Sequence, residues 1–217
     1  MKIRLLLVFL LFSQIIFAQN KFVARIKKFE AEDSIKAPVM GQILLLGSST
    51  LDFWKTYDQD LLGYSVINRG VGATQMVDVN ELFERWVLPY QPSWILLYQG
   101  DNDLAANKTP EQVLADYQLF AKKIKAFLPK TKVAIYSIKP SILRVTMLDK
   151  QKQTNELLKK LVRKNKRFFY IDEFSALIGG DGQPLPDIFA KDNLHLNTKG
   201  YTIWAAITRQ FLATHLF

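Results

Sequence analysis

Short, nearly unbroken apolar runs alternate with amphipathic segments from residue 42 onward, and this alternation constrains the fold of the chain more than any other feature. The runs Ile43–Leu46, Ser65–Asn68, Trp94–Gln99, Val133–Ser137 and Phe168–Ile171 have the length of strands rather than helices and are bounded by turn-forming residues. The intervening segments carry the helical period. In Glu111–Leu128, the residues Val113, Tyr117, Phe120, Ile124 and Phe127 fall on one face. Its start is marked by Thr109 as N-cap, Pro110 at the first helical position and Gln112 completing a capping box. A second helix is expected from about Thr198 to Thr214, with Tyr201, Trp204, Ala205, Thr208 and Phe211 facing inward. Strands this uniformly apolar need cover on both faces, which a parallel sheet between two helical layers provides. The expected fold is α/β, a three-layer α/β/α sandwich on five strands.

The chain is 217 residues long, the size of one domain with a substantial core. It contains no repeat, low-complexity tract or linker. Gly179–Pro184 reads as an Asp-Gly turn inside the domain. Residues 1–18 read as a cleaved secretory signal: Lys2 and Arg4 form the charged start, Leu5–Phe12 a short apolar run, and Ile16-Phe17-Ala18 a cleavage site. The apolar run falls short of the ~20 residues a bilayer span needs. Residues 19–41 then form an N-terminal segment expected to pack on a domain at 42–217. The chain has no cysteine, which excludes a lipidated cysteine, a disulfide and a thiolate metal site. A secreted or periplasmic protein without stable membrane insertion is expected.

The net charge is +9, and loss of Lys2 and Arg4 with the signal would leave +7 from 27 basic and 20 acidic residues. Much of the excess lies at Lys122, Lys123, Lys125, Lys130 and Lys132, and from Lys159 to Arg167, on helix faces and ends where lysine is solvated. No aromatic residues interleave with that charge on a nucleic-acid-binding module, so no nucleic-acid partner is expected.

In parallel α/β sheets the functional loops gather at the carboxyl ends of the strands. After the first strand comes Gly47-Ser48-Ser49-Thr50, after the second Asn68-Arg69-Gly70-Val71-Gly72-Ala73-Thr74, and after the third Gly100-Asp101-Asn102-Asp103. Taken singly, each has an ordinary explanation: an N-capping serine, a glycine turn, a turn-capping asparagine. No Walker Gly-Lys-Ser/Thr follows Gly47, and the acidic cluster lacks the Gly and Glu of an EF-hand loop. With no cysteine and two histidines 20 positions apart, no metal site is expected.

Those two histidines are His195 and His215. Imidazole is the side chain whose reference pKa lies nearest 7, so proton abstraction from a hydroxyl would fall to one of them. His215 lies in the last turn of a helix, where histidine complements the dipole. His195 lies in a loop and has Asp192 three residues before it. Alone, Asp-x-x-His reads as a loop-capping pair. With a serine at a strand end, it suggests acyl transfer.

The order Ser, Gly/Ala, Asn, Asp-x-x-His at successive strand ends resembles the SGNH hydrolases, the branch of GDSL-type esterases and lipases. The resemblance runs from about Glu30 to the end of the chain. Thr109–Tyr117 and Ser137–Ser141 are similar to a small bacterial subfamily. The resemblance implies a flavodoxin-like sheet and a triad of Ser49, His195 and Asp192, with Ser48 in place of the family's aspartate. It implies an oxyanion hole from the Ser49 N–H, the Ala73 N–H and the Asn102 amide. Ala73 stands where the family usually has glycine. The activity implied is hydrolysis of carboxylic esters through an acyl-enzyme, with no cofactor. The loop Lys139–Met147 is expected to line the substrate pocket, with Gly72, Pro140 and Arg144 as candidate substrate contacts. It mixes apolar and basic residues, which suits either a short-chain carbohydrate ester or a lysophospholipid, and the chain has no long apolar insertion to act as a lid, which favours short acyl groups. Two alternatives remain open at this point: a glycan O-acyltransferase with the same residues, and a non-catalytic glycan- or lipid-binding module.

Overall fold

A computed structural model describes residues 22–216. The expected signal at 1–18 lies outside the described residues. The chain divides into two compact units, the first ending at Pro38 and the second running from Val39 to Phe217. In the first, residues 22–35 form a helix, α1.

The second unit begins with β1 (Ile43–Gly47), followed by two four-residue helices, α2 (Ser49–Asp52) and α3 (Tyr57–Asp60). Then come β2 (Val66–Gly70), α4 (Met76–Glu81), α5 (Phe83–Trp86) and β3 (Trp94–Tyr98). The short α6 (Asp101–Ala105) leads into the long α7 (Pro110–Phe127) and β4 (Lys132–Tyr136). The unit closes with α8 (Leu148–Arg163), β5 (Phe168–Ile171) and α9 (Thr198–Leu216). All five strands are parallel, in the order β2-β1-β3-β4-β5, the flavodoxin-like arrangement expected. The order reverses between β1 and β3, so the loops following these two strands splay apart and leave a crevice.

The pleat sends alternate residues to opposite faces. Leu45, Leu96, Tyr98, Ala134 and Tyr136 join one buried cluster with Trp54, Trp204 and Leu212. Leu44, Leu46, Ile95 and Leu97, equally buried, point the other way. This double burial explains the unbroken apolar strands.

The cap of α7 forms as its sequence dictates: Thr109 accepts from the Gln112 backbone and Gln112 reaches back to the Thr109 N–H. Phe127, expected inward, is half exposed, because α7 ends there and its ring rests against Phe83. β2 lies one to two residues further along than the apolar run suggested. It is an edge strand, and Arg69, half-buried and charged, lies past the point where an apolar count stops. α8 was not delimited by the apolar pattern, since its buried face includes Gln151, Thr154 and Asn155.

Candidate active site

β1 ends at a position only glycine fits: a Cβ on Gly47 would lie 2.1 Å from the carbonyl oxygen of Tyr98 on the neighbouring strand. The turn is held there by the Ser48 N–H, which donates to the same carbonyl at 3.1 Å. Ser48 is buried, and Ser49, half-buried, opens α2.

The loop carrying His195 is folded around a single carboxylate. Asp192 Oδ1 accepts the backbone N–H groups of Leu194 and His195, each at 3.0 Å, while Oδ2 lies 2.6 Å from His195 Nδ1. Asn193 takes a left-handed φ of +56°, which asparagine tolerates better than most residues. Capping and orientation are thus done by the same side chain. Desolvation works to raise the Asp192 pKa, but the hydrogen bonds from His195 and the two backbone groups prevail and hold it at about 2. On the far side of the ring, Nε2 lies 2.9 Å from Ser49 Oγ, across 146 positions of sequence. The ionised carboxylate favours the tautomer with its proton on Nδ1, leaving Nε2 as an acceptor for the serine hydroxyl.

The turn after β2 supplies backbone N–H groups beside this serine. Val71 donates to the Gly47 carbonyl at 2.8 Å, and Gly72 to Asp52 Oδ2 at 3.1 Å. Ala73 has φ +66°, and neither its N–H nor that of Ser49 has a hydrogen-bond partner among the described residues. Asn102, from the start of α6, donates through Nδ2 to the Thr74 carbonyl at 3.0 Å.

The sequence from Ile43 to Ile203 matches the model of the GDSL-like lipase/acylhydrolase family, most of the chain. The chain belongs to that family. With membership comes its reaction class, hydrolysis of ester bonds. No curated protein matches the sequence. Among solved structures the fold is similar to a Streptococcus pneumonia protein provisionally described as a platelet activating factor (18% identity, TM-score 0.77), covering 92% of this chain and 98% of that one. It is also similar to a GDSL-like lipase from Bacteroides thetaiotaomicron (20% identity, TM-score 0.73; 87% and 97% covered). A third similar structure is a family 3 carbohydrate esterase from Clostridium thermocellum (16% identity, TM-score 0.65; 82% and 98% covered).

In this acylhydrolase the Gly100–Asp103 segment places three consecutive side chains in three directions. Asp101 pairs with Arg144 Nη1 at 2.7 Å. Asn102 turns toward the loop after β2, where it meets the Thr74 carbonyl. Asp103 turns into the interior, accepting the Met76 N–H at 3.2 and 3.1 Å and Lys108 Nζ at 2.8 Å. Burial raises the Asp103 pKa despite the lysine.

The loop after β4 braces its neighbours. Lys139 is 1% exposed and donates from Nζ to the Leu194 carbonyl at 2.6 Å, immediately before His195. Its burial lowers its pKa to about 8, against the pull of Asp101 and Asp192. Pro140 is buried at the head of the loop, Leu143 donates its N–H to the Asn193 carbonyl at 2.9 Å, and Arg144 Nη2 donates to Asn102 Oδ1 at 3.1 Å.

His215 lies elsewhere. It stacks on Phe211, with centroids 4.2 Å apart, and packs against Phe169 and against Trp94, the residue that begins β3. That is the amino end of the sheet, opposite Ser49. Sequence reasoning passed over Phe53, whose ring centroid lies 4.7 Å from that of His195, and Asp52, the acceptor for Gly72. Both sit one helical turn after Ser49, a spacing that could have flagged them. For Lys139 the sequence offers no comparable signal, because its partner is a backbone carbonyl 55 residues away.

Proposed function

We propose that this acylhydrolase is a serine esterase acting on carboxylic esters, with short-chain or carbohydrate O-acyl esters as its substrate class. The observation that carries the proposal is the run of contacts from Ser49 Oγ to His195 Nε2 and from His195 Nδ1 to Asp192, at 2.9 and 2.6 Å. Ser49 Oγ attacks the ester carbonyl as His195 takes its proton. His195 then returns that proton to the leaving alcohol, and a water activated by the same imidazole releases the acyl group. Asp192 keeps the imidazole oriented and stabilises the imidazolium.

The developing oxyanion is held by the Ser49 N–H, the Ala73 N–H and the Asn102 amide. Commitment of the Gly72 N–H to Asp52 favours Ala73 as the donor from this turn. Removing one such donor typically costs ~2.7–4 kcal/mol in the barrier. Phe53, 45% exposed, and Leu143, 61% exposed, offer apolar surface from the two loops nearest the base, enough for a short acyl or alcohol group. A carbohydrate esterase among the similar structures is consistent with a sugar on the alcohol side. Residues 1–18 act in this reading as a cleaved export signal, delivering the enzyme outside the cytoplasm. The test is hydrolysis by the mature protein of an ester panel graded by acyl length and including acetylated sugars. Ser49-dependent turnover that falls with chain length is expected, and none on any ester would refute the proposal.

A further inference from the structure

Asn102 has one acceptor and two donor hydrogens on its amide, and its two ends are almost isosteric. An oxyanion donor of this kind is useful only if the NH2 end, not the carbonyl, faces the reacting oxygen. Two fixed partners decide the matter. Arg144 Nη2 lies 3.1 Å from the Oδ1 end, and a guanidinium only donates. The Thr74 carbonyl lies 3.0 Å from the Nδ2 end, and a carbonyl only accepts. Turning the amide over would set donor against donor and acceptor against acceptor. The second hydrogen on Nδ2 is then left for the crevice.

We infer that Arg144 is a positioning residue for the oxyanion site, and that the Arg144–Asp101 pair acts on the reaction by holding Asn102 in its donating orientation. The inference rests on the serine esterase reading. Asp101 anchors the guanidinium at 2.7 Å, with 7% of the carboxylate side chain and 16% of the arginine side chain exposed. Gln151 on α8 supports the anchor, its Nε2 lying 3.4 Å from the other carboxylate oxygen and 3.1 Å from the Lys139 carbonyl. The arginine's charge is already matched by Asp101, so it is poorly placed to recruit an anionic substrate. Its effect passes through the amide, where a cationic donor on the carbonyl oxygen also polarises the N–H bonds at the other end. The same loop holds the Leu194 carbonyl through Lys139, so one segment braces both the base and the oxyanion donor.

The test is a double-mutant cycle on hydrolysis of a neutral short-chain ester. Arg144→Ala should lower kcat about ten- to hundred-fold, less than the ~10²–10³ of losing the donor outright, and leave KM within about three-fold. In an Asn102→Ala background the same change should alter kcat less than about two-fold. Arg144→Lys, which can keep the ion pair but not the planar fork, should recover part of the loss. Because Arg144→Ala leaves a buried carboxylate without its partner, Asp101→Asn combined with Arg144→Met removes both charges and should reproduce the kcat loss in a folded enzyme. Losses that multiply in the Asn102→Ala background, an effect confined to KM, or no kcat loss in a folded double variant would each overturn the role. If Asn102→Ala itself is silent, the amide is not a donor and the inference falls. If the wild type shows no Ser49-dependent hydrolysis, the esterase reading fails first and takes the inference with it.

Discussion

Gly72 donates its backbone N–H to Asp52, while Ala73 beside it holds φ at +66° with its own N–H unbonded among the described residues. The pair divides the work of one turn: the first N–H ties the turn to α2, the second stays available in the crevice. A left-handed φ costs an L-residue ~1–2 kcal/mol, which is the physical reason glycine suits this position. Ala73→Gly removes that strain and adds backbone entropy of ~0.5–1 kcal/mol to the unfolded chain. The substitution is expected to leave the melting temperature unchanged or slightly higher and kcat within a few-fold. A large loss of kcat in a stable Ala73→Gly protein would mean that the methyl group itself contacts substrate.

The adjacent serines give a sharp contrast. Ser49 faces His195, whereas Ser48 is 2% exposed. An organophosphonate should label Ser49 alone. Ser49→Ala should abolish esterase activity, and Ser48→Ala should retain much of it. Peptide mapping of the adduct decides the point, and an adduct on Ser48 would displace the assignment.

The two histidines separate function from packing. His195→Ala should reduce kcat by about 10²–10⁴, the usual contribution of a positioned general base. His215→Ala should leave kcat intact and lower stability by roughly 1 kcal/mol, through loss of its stacking with Phe211 and Phe169. Kinetics and thermal melts on both variants check this, and comparable kcat losses would contradict it.

Lys139 has a signature in stability against pH. Its folded pKa is about 8, below the ~10.4 of an unfolded lysine. Between those values the unfolded chain binds more protons than the folded one, so this residue makes stability rise with pH across that window. Lys139→Met should lack that rise. The difference between the two melting curves, plotted from pH 7 to 10.5, isolates the residue from other titrating groups, and parallel curves would show that Lys139 is not held in the buried state described.

Export is checked at the other end of the chain. The mature protein should begin at Gln19 or within a residue or two of it. Recovery of Met1 by N-terminal sequencing of a membrane fraction would exclude a cleaved signal.

The sequence by itself determined the sheet and the class of reaction. Strands such as Leu44–Leu46 and Leu96–Leu97 are apolar on both faces because both faces are covered, and that property is local enough to read from the chain. The cap of α7 is equally local, since Thr109 and Gln112 are three residues apart. Asp192 and His195 are also near neighbours, and their pairing needs only a turn. What the tertiary structure decided lies in contacts between distant segments. Only the assembled sheet sets Ser49, at the end of β1, against a histidine 146 residues away in the loop before α9. The orientation of the Asn102 amide depends on Arg144 and Thr74, on different loops, and the grip of Lys139 on the Leu194 carbonyl depends on a backbone atom with no sequence signature. The limits of edge strand β2 and helix α8 were blurred for a related reason. Their buried positions are partly polar, and Asn68, Gln151 and Asn155 are stabilised there by hydrogen bonds that exist only once the loops around them have assembled.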